Sequence, residues 1–148
     1  MLKNPDNLIA YCGLYCGECF GHEGKIADLA RDLRKELRKA NFDKFAKFIS
    51  QYNFAKGYKH YPECYEVLGL MVKFRCNRTC KDGGGPPFCK MRKCCQKKEI
   101  IGCWECTDFE TCEKLDFLKP VHGDAHLKNL RILNKKGIAE FLKGKKYW

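Results

Sequence analysis

Twelve cysteines constrain the folding of this 148-residue chain more than any other feature of its sequence. They form two blocks, and Cys64 stands alone between the blocks. The first block follows the pattern Cys12-x3-Cys16-x2-Cys19. The second block holds the other eight cysteines, which are Cys76, Cys80, Cys89, Cys94, Cys95, Cys103, Cys106 and Cys112. The fold must place these side chains in disulfides, in metal sites or in a packed interior.

Two features of the sequence favour metal sites over disulfides. The N-terminal residues contain no basic segment followed by an apolar run, so we expect no secretory signal and a cytoplasmic protein, in which thiols stay reduced. Two spacings, Cys16 to Cys19 and Cys103 to Cys106, are C-x2-C knuckles. In a knuckle of this kind a tight turn aims two sulfurs at one ion about 2.3 Å away. Disulfides are the alternative if a leader peptide has been removed.

The small number of large apolar residues also favours metal sites. Leu, Ile, Val and Phe account for 34 of the 148 residues, which is little for the core of a domain of this length. Metal coordination can replace part of a missing apolar core. No run of residues approaches the ~20 apolar positions that a membrane-spanning helix needs, so we expect no membrane partner.

All eleven cysteines of the two blocks are candidate metal ligands. One partition gives each of two ions four ligands, namely Cys76, Cys80, Cys89 and Cys94, and Cys95, Cys103, Cys106 and Cys112. The first block then lacks a fourth ligand, for which Cys64 and His22 are candidates. The alternative for Cys64 is a small apolar residue on a helix face, and the alternative for His22 is a polar surface residue. The other histidines have no ligand spacing and are expected at the surface or at helix ends; they are His60, His122 and His126.

Zinc in a structural role is the expected metal. An iron–sulfur cluster used in electron transfer or redox sensing is the alternative, because both kinds of site accept four cysteines. The first block also has the spacing of the cluster-binding triplet of radical S-adenosylmethionine enzymes, but the chain lacks the length and the alternating strands of their barrel.

The sequence favours a binding or adaptor module with a protein partner over an enzyme. It contains no Ser-His-Asp order, no phosphate-binding loop and no H-E-x-x-H pattern. A zinc ion held by the first block alone would keep an open coordination position, which leaves a catalytic role as the alternative.

Helical periodicity is strongest between residues 25 and 52, where apolar residues recur at three- and four-residue steps. Asn41 and Asp43 interrupt this pattern, which predicts two helices or one helix with a kink near Asn41. A further helix is predicted from Pro62 to about Phe74. Asp124 is the expected N-cap of a last helix, which Gly137 should break.

The span 76 to 112 has no usable period and contains the run Gly83-Gly-Gly-Pro-Pro87, so it is predicted to be loop. We therefore expect a mainly α fold, a small helical domain with a loop-rich, metal-organised cysteine-rich region. The single domain 1–148 would consist of the first cysteine block (9–24), a helical body (25–74), the cysteine-rich loop region (75–118) and a C-terminal helix (124–145).

The cysteine-bearing segments resemble an uncharacterised cysteine-rich prokaryotic family, domain of unknown function 3795. The resemblance starts with Tyr11-Cys-Gly-Leu-Tyr-Cys-Gly-Glu-Cys19 and continues with Phe88-Cys89, Arg92-Lys-Cys94 and the segment Gly102 to Cys112. It covers most of residues 9 to 118. The x3 spacing of Cys76 and Cys80 and the presence of Cys95 depart from the family pattern. The resemblance implies a compact bacterial or archaeal protein that binds metal, and it supplies no reaction.

The basic charge of the chain, a formal +11, allows a second kind of partner. Residues 75 to 99 carry eight basic and two acidic side chains. Zinc ribbons that bind RNA or DNA combine basic residues with a metal-folded loop in this way. A zinc-ribbon-like nucleic-acid binder is therefore a further alternative, with candidate contacts at Arg75, Arg78, Lys90, Arg92 and Lys93.

Overall fold

Most residues of the chain are helical in the computed structural model, which describes residues 5–148. The α-helices are α1 Phe20–Glu23, α2 Lys25–Lys39, α3 Phe42–Ile49, α4 Tyr61–Lys73, α5 Lys90–Lys97, α6 Lys119–His122 and α7 Ala125–Lys143. Short 3₁₀ helices precede α1 at Pro5–Leu8 and Cys16–Glu18, and others lie between the later helices at Asn53–His60, Cys103–Glu105, Phe109–Thr111 and Glu113–Leu118. Residues 5–148 form no strand beyond one isolated antiparallel bridge between Ile9 and Tyr15. The prediction of a mainly α fold is confirmed.

The chain divides into two compact units. Unit 1 combines the described residues up to His22 with Cys76–Trp148, and unit 2 is Glu23–Arg75. Unit 2 is thus inserted in the sequence of unit 1. Every cysteine except Cys64 belongs to unit 1.

Unit 2 contains the predicted pair of helices and the helix that follows them. Asn41 separates α2 from α3 and adopts the left-handed conformation, with φ 49°, which Asn tolerates better than most residues. The break predicted near Asn41 is confirmed. α4 begins at Tyr61, and Pro62 lies in its first turn, where the missing N–H costs no helical hydrogen bond.

The interior of unit 2 is built from small residues. Its buried apolar side chains are four alanines, Ala27, Ala30, Ala46 and Ala55. Polar contacts add to this packing: the Arg34 guanidinium lies 4.4 Å from the Tyr65 ring centroid, and Arg75 pairs with Asp28 at 2.6 Å. The large apolar side chains that gave the helices their period stay exposed, as Leu29 does at 60%. Periodicity therefore predicted these helices correctly although their larger apolar residues are not buried.

The core of unit 1 lies along α7. Leu130, Leu133 and Phe141 of this helix are almost fully buried and pack with Ile9 and Leu115. α7 starts after Asp124 as predicted, but the Asp124 carboxylate pairs with Lys128 at 3.1 Å and does not cap the helix.

Gly137 interrupts α7 as predicted, with φ 81° and ψ 173°. Only glycine occupies this region without strain.

The prediction that residues 76 to 112 lack regular structure is wrong for α5. Met91 and Cys95 form the buried side of this two-turn helix. The Arg92 N–H donates to Cys89 Sγ at 3.5 Å, so a thiol serves as the N-cap acceptor. This short helix has one apolar i,i+4 pair, Met91 and Cys95, and one member of the pair is a cysteine, which is why the apolar pattern did not reveal the helix.

Arg92 organises the glycine-rich loop that precedes α5. Its guanidinium donates to the carbonyls of Gly84 at 2.5 Å and Pro86 at 3.0 Å. Gly84 has no room for a side chain, because a Cβ there would lie 1.9 Å from the Arg78 carbonyl oxygen. The loop is thus held by one cation and by close backbone packing.

His126 lies at a helix end, one of the two positions expected for it, but it is not at the surface. The side chain is fully buried at the start of α7, and neither ring nitrogen has a hydrogen-bond partner among the described residues. Burial lowers its pKa below the usual 6.5, and His122 and Lys119 lower it further, while Asp124 and Asp116 oppose them. The folded state therefore holds His126 neutral.

We predict that the protein loses thermal stability as the pH falls below about 6.5. The unfolded chain then binds a proton at His126 that the folded chain resists, so the free energy of unfolding decreases with decreasing pH. Each 1 kcal/mol lost lowers Tm by about 2–4 °C in a chain of this size. Melts between pH 5 and pH 8 measure the slope, and His126→Leu should flatten it; an unchanged slope in this variant would contradict the assignment.

We also predict that Arg92→Met destabilises the protein by about 1–3 kcal/mol, because hydrogen bonds from a charged donor contribute about this much. Urea denaturation measures the change. Lys93→Met is the matched control, since Lys93 is exposed on the same helix and should change stability by less than about 0.5 kcal/mol. Equal effects of the two substitutions would show that Arg92 does not hold the loop.

Candidate metal centre

A tight turn at residues 10–14 positions the first cysteine. The Ala10 N–H donates to the Leu14 carbonyl at 2.8 Å, and the Gly13 N–H donates to the Ala10 carbonyl at 2.9 Å. Gly13 has φ +83°, and a Cβ there would lie 2.8 Å from the Leu130 side chain. The turn therefore needs glycine at this position, and it buries Cys12.

The knuckle that follows is a single 3₁₀ turn. The Cys19 N–H donates to the Cys16 carbonyl at 3.1 Å, and the His22 N–H donates to the Cys19 carbonyl at 3.0 Å. Consecutive turns thus carry the chain from Cys16 into α1. A C-x2-C knuckle needs a turn of this kind, and the metal-binding role of Cys16 and Cys19 stays a prediction.

Two cysteines from the second block join two from the first. We call Cys12, Cys16, Cys80 and Cys89 the Cys12 group. The charges of Cys16, Cys80 and Cys89 act to raise the pKa of Cys12, and the charge of Cys89 acts to raise the pKa of Cys80. A backbone hydrogen bond from Cys80 reaches Cys16, and one from Tyr11 reaches Cys80. Cys19 and Cys76 lie at the edge of the group, each coupled to Cys16.

Burial is the largest influence on the pKa of three thiols, those of Cys12, Cys16 and Cys80. It raises the pKa of Cys12 and that of Cys16 to about 12, and it also raises the pKa of Cys80. The backbone N–H groups of Leu14, Cys80 and Tyr11 act in the opposite direction, since they favour the thiolate. A bound cation is the charge that would make several buried thiolates stable together.

A second set of five cysteines surrounds a cavity of about 230 Å³. We call it the Cys103 group, and its members are Cys94, Cys95, Cys103, Cys106 and Cys112. Cys95 Sγ and Cys103 Sγ lie 3.6 Å apart in the interior. Their hydrogen bond lowers the pKa of Cys95 and, together with burial, raises the pKa of Cys103.

Two lysines place positive charge beside these sulfurs. Lys81 lies 4.9 Å from the Trp104 ring centroid, and its charge lowers the pKa of Cys80 and that of Cys95. Lys98 Nζ donates to Cys106 Sγ at 3.1 Å. Cations of this kind favour ionised thiols, which are the form that binds metal.

The backbone of Tyr11 connects the two groups. Its N–H is the donor to Cys80 noted above, and its carbonyl accepts from the Cys103 N–H at 2.8 Å. The first block therefore supplies both ligand candidates and the link to the second knuckle. This grouping differs from the partition drawn along the sequence, which kept Cys80 and Cys89 apart from the first block.

Residues 5–148 do not form a complete metal site. Across residues 5–148, no group of three or more His, Cys, Asp or Glu side chains is arranged so that it could hold a metal ion. All twelve cysteines are free thiols. The metal-organised character of this region therefore stays a prediction, and the structure contributes the grouping of the thiols.

The two candidates for a fourth ligand of the first block occupy different surroundings. Cys64 lies exposed on α4 in unit 2, so it is not the buried apolar residue of a helix face. His22 is half-buried in α1, and its Nδ1 atom is buried without a hydrogen-bond partner among residues 5–148. Neither residue belongs to the Cys12 group, in which Cys80 and Cys89 of the second block accompany Cys12 and Cys16.

Two of the basic residues considered for nucleic-acid binding are engaged within the fold. Arg75 pairs with Asp28, and Arg92 holds the glycine-rich loop. Arg78, Lys90 and Lys93 are exposed. A nucleic-acid contact at residues 75 to 99 would therefore depend on these three residues and the neighbouring lysines.

Comparisons with known proteins place the chain in a family. No helix among residues 5–148 combines the length and apolar character that crossing a bilayer requires. No curated protein and no solved structure matches the chain. A family model described as "Protein of unknown function (DUF3795)" matches residues 8–117, a span that contains both cysteine groups. The chain therefore belongs to the DUF3795 family.

Proposed function

We propose that this protein binds metal through its cysteines in a reducing cytoplasm, and that zinc in a structural role is the ion. The Cys12 group is the primary site. The metal would stabilise unit 1 so that the protein can act as a binding or adaptor module for a protein partner. The observation that supports this proposal is that the thiols of Cys16, Cys80 and Cys89 all act to raise the pKa of Cys12, although Cys80 and Cys89 lie more than sixty positions further along the chain.

The backbone around the Cys12 group supports the proposal. Backbone N–H groups of Leu14, Cys80 and Tyr11 hydrogen bond to its thiols. Such hydrogen bonds favour the ionised sulfur, and a metal-bound thiol is ionised. Burial without a cation has the opposite effect, as the raised pKa of Cys12 shows. Metal binding would resolve this conflict because the ion offsets the cost of burying thiolates.

Structural zinc suits the chemistry of the donor set. Zinc sites of four thiolates need sulfurs from turns that bring them close to one ion. The Cys12 group offers two sulfurs on the turns at residues 10–19 and two on the segment that leads into α5. Coordination would join these segments and supply stability that the limited apolar composition does not.

An iron–sulfur cluster is the second candidate, and the cavity of the Cys103 group favours it. A cavity of about 230 Å³ with five cysteines among its lining residues is larger than one ion needs, whereas a cluster adds inorganic sulfide and several irons between its ligands. Lys98 beside Cys106 is a hydrogen-bond donor to sulfur of the kind that tunes cluster potentials.

Substitution at the Cys12 group tests the primary site. We predict that Cys80→Ser loses about one zinc per chain and several kcal/mol of stability, because zinc-folding energies are about 10–16 kcal/mol per site. Cys64→Ser is the matched control, since Cys64 is exposed in unit 2. It should keep the wild-type zinc content and melting temperature. Equal zinc content in the two variants would contradict the site.

Anaerobic purification with metal and sulfide quantification decides between the two candidates. We predict zinc without acid-labile sulfide and a colourless protein. A brown protein that absorbs near ~400 nm, bleaches on reduction and contains iron and sulfide would replace zinc with a cluster. Protein that contains neither metal after anaerobic preparation and zinc titration would overturn the proposal.

A further inference from the structure

Unit 2 presents a surface of exposed rings and lysines that the metal proposal does not use. We call it the aromatic–lysine surface. Its exposed rings are Phe45, Phe48, Tyr52, Phe54 and Tyr58. Its lysines are Lys44, Lys47, Lys56 and Lys59, all exposed. Both sets lie between residues 44 and 60, a stretch of the sequence without Asp or Glu.

These lysines outnumber the carboxylates of their two helices, where Asp43 of α3 lies four residues before Lys47. The ion pairs found within residues 5–148 do not include any of the four lysines. Elsewhere in unit 2, basic side chains form ion pairs with carboxylates, as Arg75 does with Asp28 at 2.6 Å. The surface therefore carries a local positive charge that suits an anionic partner.

The rings pack in two sets across α3 and the 3₁₀ helix Asn53–His60, one of Phe48, Tyr52 and Phe54 and one of Phe45 and Tyr58. Ring centroids are 5.8 Å apart for Phe48 and Tyr52, 6.0 Å for Tyr52 and Phe54, and 6.2 Å for Phe45 and Tyr58. Phe54 is 84% exposed, so a ring face is open to solvent. Exposed rings in series are the platform on which bases of a single strand stack.

The lysines lie beside the rings in the two helices. Lys44 and Phe48 are four residues apart on α3 and so share a face. In a 3₁₀ helix residues three apart are eclipsed, which places Lys56 and Lys59 in one row. Phe54, Gly57 and His60 form the adjacent row. Positive charge therefore runs alongside the aromatic series.

Gly57 leaves an opening in that second row. A Cβ built at Gly57 would have no atom within 4 Å. The opening belongs to a groove of about 460 Å³ whose walls include Leu33, Phe42, Phe54 and Tyr61. A flat, partly apolar ring can enter such a groove between Phe54 and His60.

We propose that the aromatic–lysine surface binds single-stranded nucleic acid without strong sequence preference. Bases stack on the exposed rings, one base enters the groove at Gly57, and the four lysines contact the phosphates. Every base has a π face and every nucleotide a phosphate, so this combination of groups recognises the strand and not its sequence. The site is distinct from the basic segment 75–99.

The observations favour a nucleic acid over a membrane surface. Helices that lie in a bilayer interface bury one large apolar face in the lipid. Their apolar side chains project into the lipid, whereas this surface encloses a groove. Vesicle binding is therefore an outcome that the experiment must exclude.

The test uses the full-length protein and a fluorescently labelled oligouridine of about 12 nucleotides, within the site sizes of single-strand binders. We expect anisotropy titrations to give binding at about 50 mM salt that weakens steeply toward about 200 mM. Four phosphate contacts on a single strand give a slope of about −2.8 in log K against log salt. No binding at about 50 mM salt would overturn the proposal.

Substitutions locate the site. Phe54→Ala should weaken binding about tenfold, and Gly57→Leu should weaken it by filling the groove; circular dichroism checks that both variants keep the fold. Lys56→Gln with Lys59→Gln should reduce the magnitude of the salt slope by about 1.4. Lys135→Gln with Lys136→Gln is the matched control, because both lysines are exposed on α7 in unit 1, and it should leave the slope unchanged.

Two further outcomes would reject the site. If Arg78→Gln with Lys90→Gln and Lys93→Gln abolishes binding while the Phe54 and Lys56 variants do not weaken it, the strand binds at residues 75–99. If vesicles of phosphatidylserine and phosphatidylcholine bind the protein and the oligouridine does not, the surface binds membranes. The unit 2 substitutions leave the Cys12 group intact, so the zinc content of each variant separates this proposal from the metal proposal.

Discussion

The burial of ionisable sulfur is the constraint on which unit 1 depends. Cys12, Cys95 and Cys103 lie in the apolar core beside Leu130 and Phe141, where a thiolate without a counter-charge is unfavourable. Local structure responds to this constraint in several ways. Backbone N–H groups point at Cys12 and Cys16, and Lys81 and Lys98 lie beside other thiols. The turns, the knuckles and the positions of the lysines therefore all affect the same quantity, the free energy of burying ionised sulfur.

Sequence reasoning predicted the parts of this fold that depend on neighbours in the chain. The helix break at Asn41, the interruption at Gly137 and the knuckle at Cys16 all arise from backbone preferences within a few residues. Sequence reasoning failed where the structure depends on contacts between segments that are far apart in the chain. Cys80 belongs to the Cys12 group although more than sixty positions separate it from Cys12 and Cys16. Helix α5 depends on the Cys89 thiol as its N-cap and on the buried side chains of Met91 and Cys95. Spacing alone carries no information on such pairings.

The two units are stabilised by different kinds of packing. Unit 1 buries large side chains along α7 and brings its cysteines to that core. Unit 2 packs its helices on four alanines and leaves its larger apolar residues at the surface. An alanine interior contributes little transfer free energy per residue, so cation–π and ionic contacts at Tyr65 and Asp28 matter more there. Exposed rings on such a unit are available for recognition.

The insertion of unit 2 between the halves of unit 1 has a consequence for biosynthesis. Cys16 leaves the ribosome 64 residues before Cys80, which at about 5–20 residues per second is a delay of roughly 3–13 s. During that interval the nascent N-terminal thiols are accessible to oxidants and to competing ions. Rapid, autonomous collapse of the intervening helices would shorten the distance that the late thiols must search, and so limit the lifetime of this vulnerable intermediate.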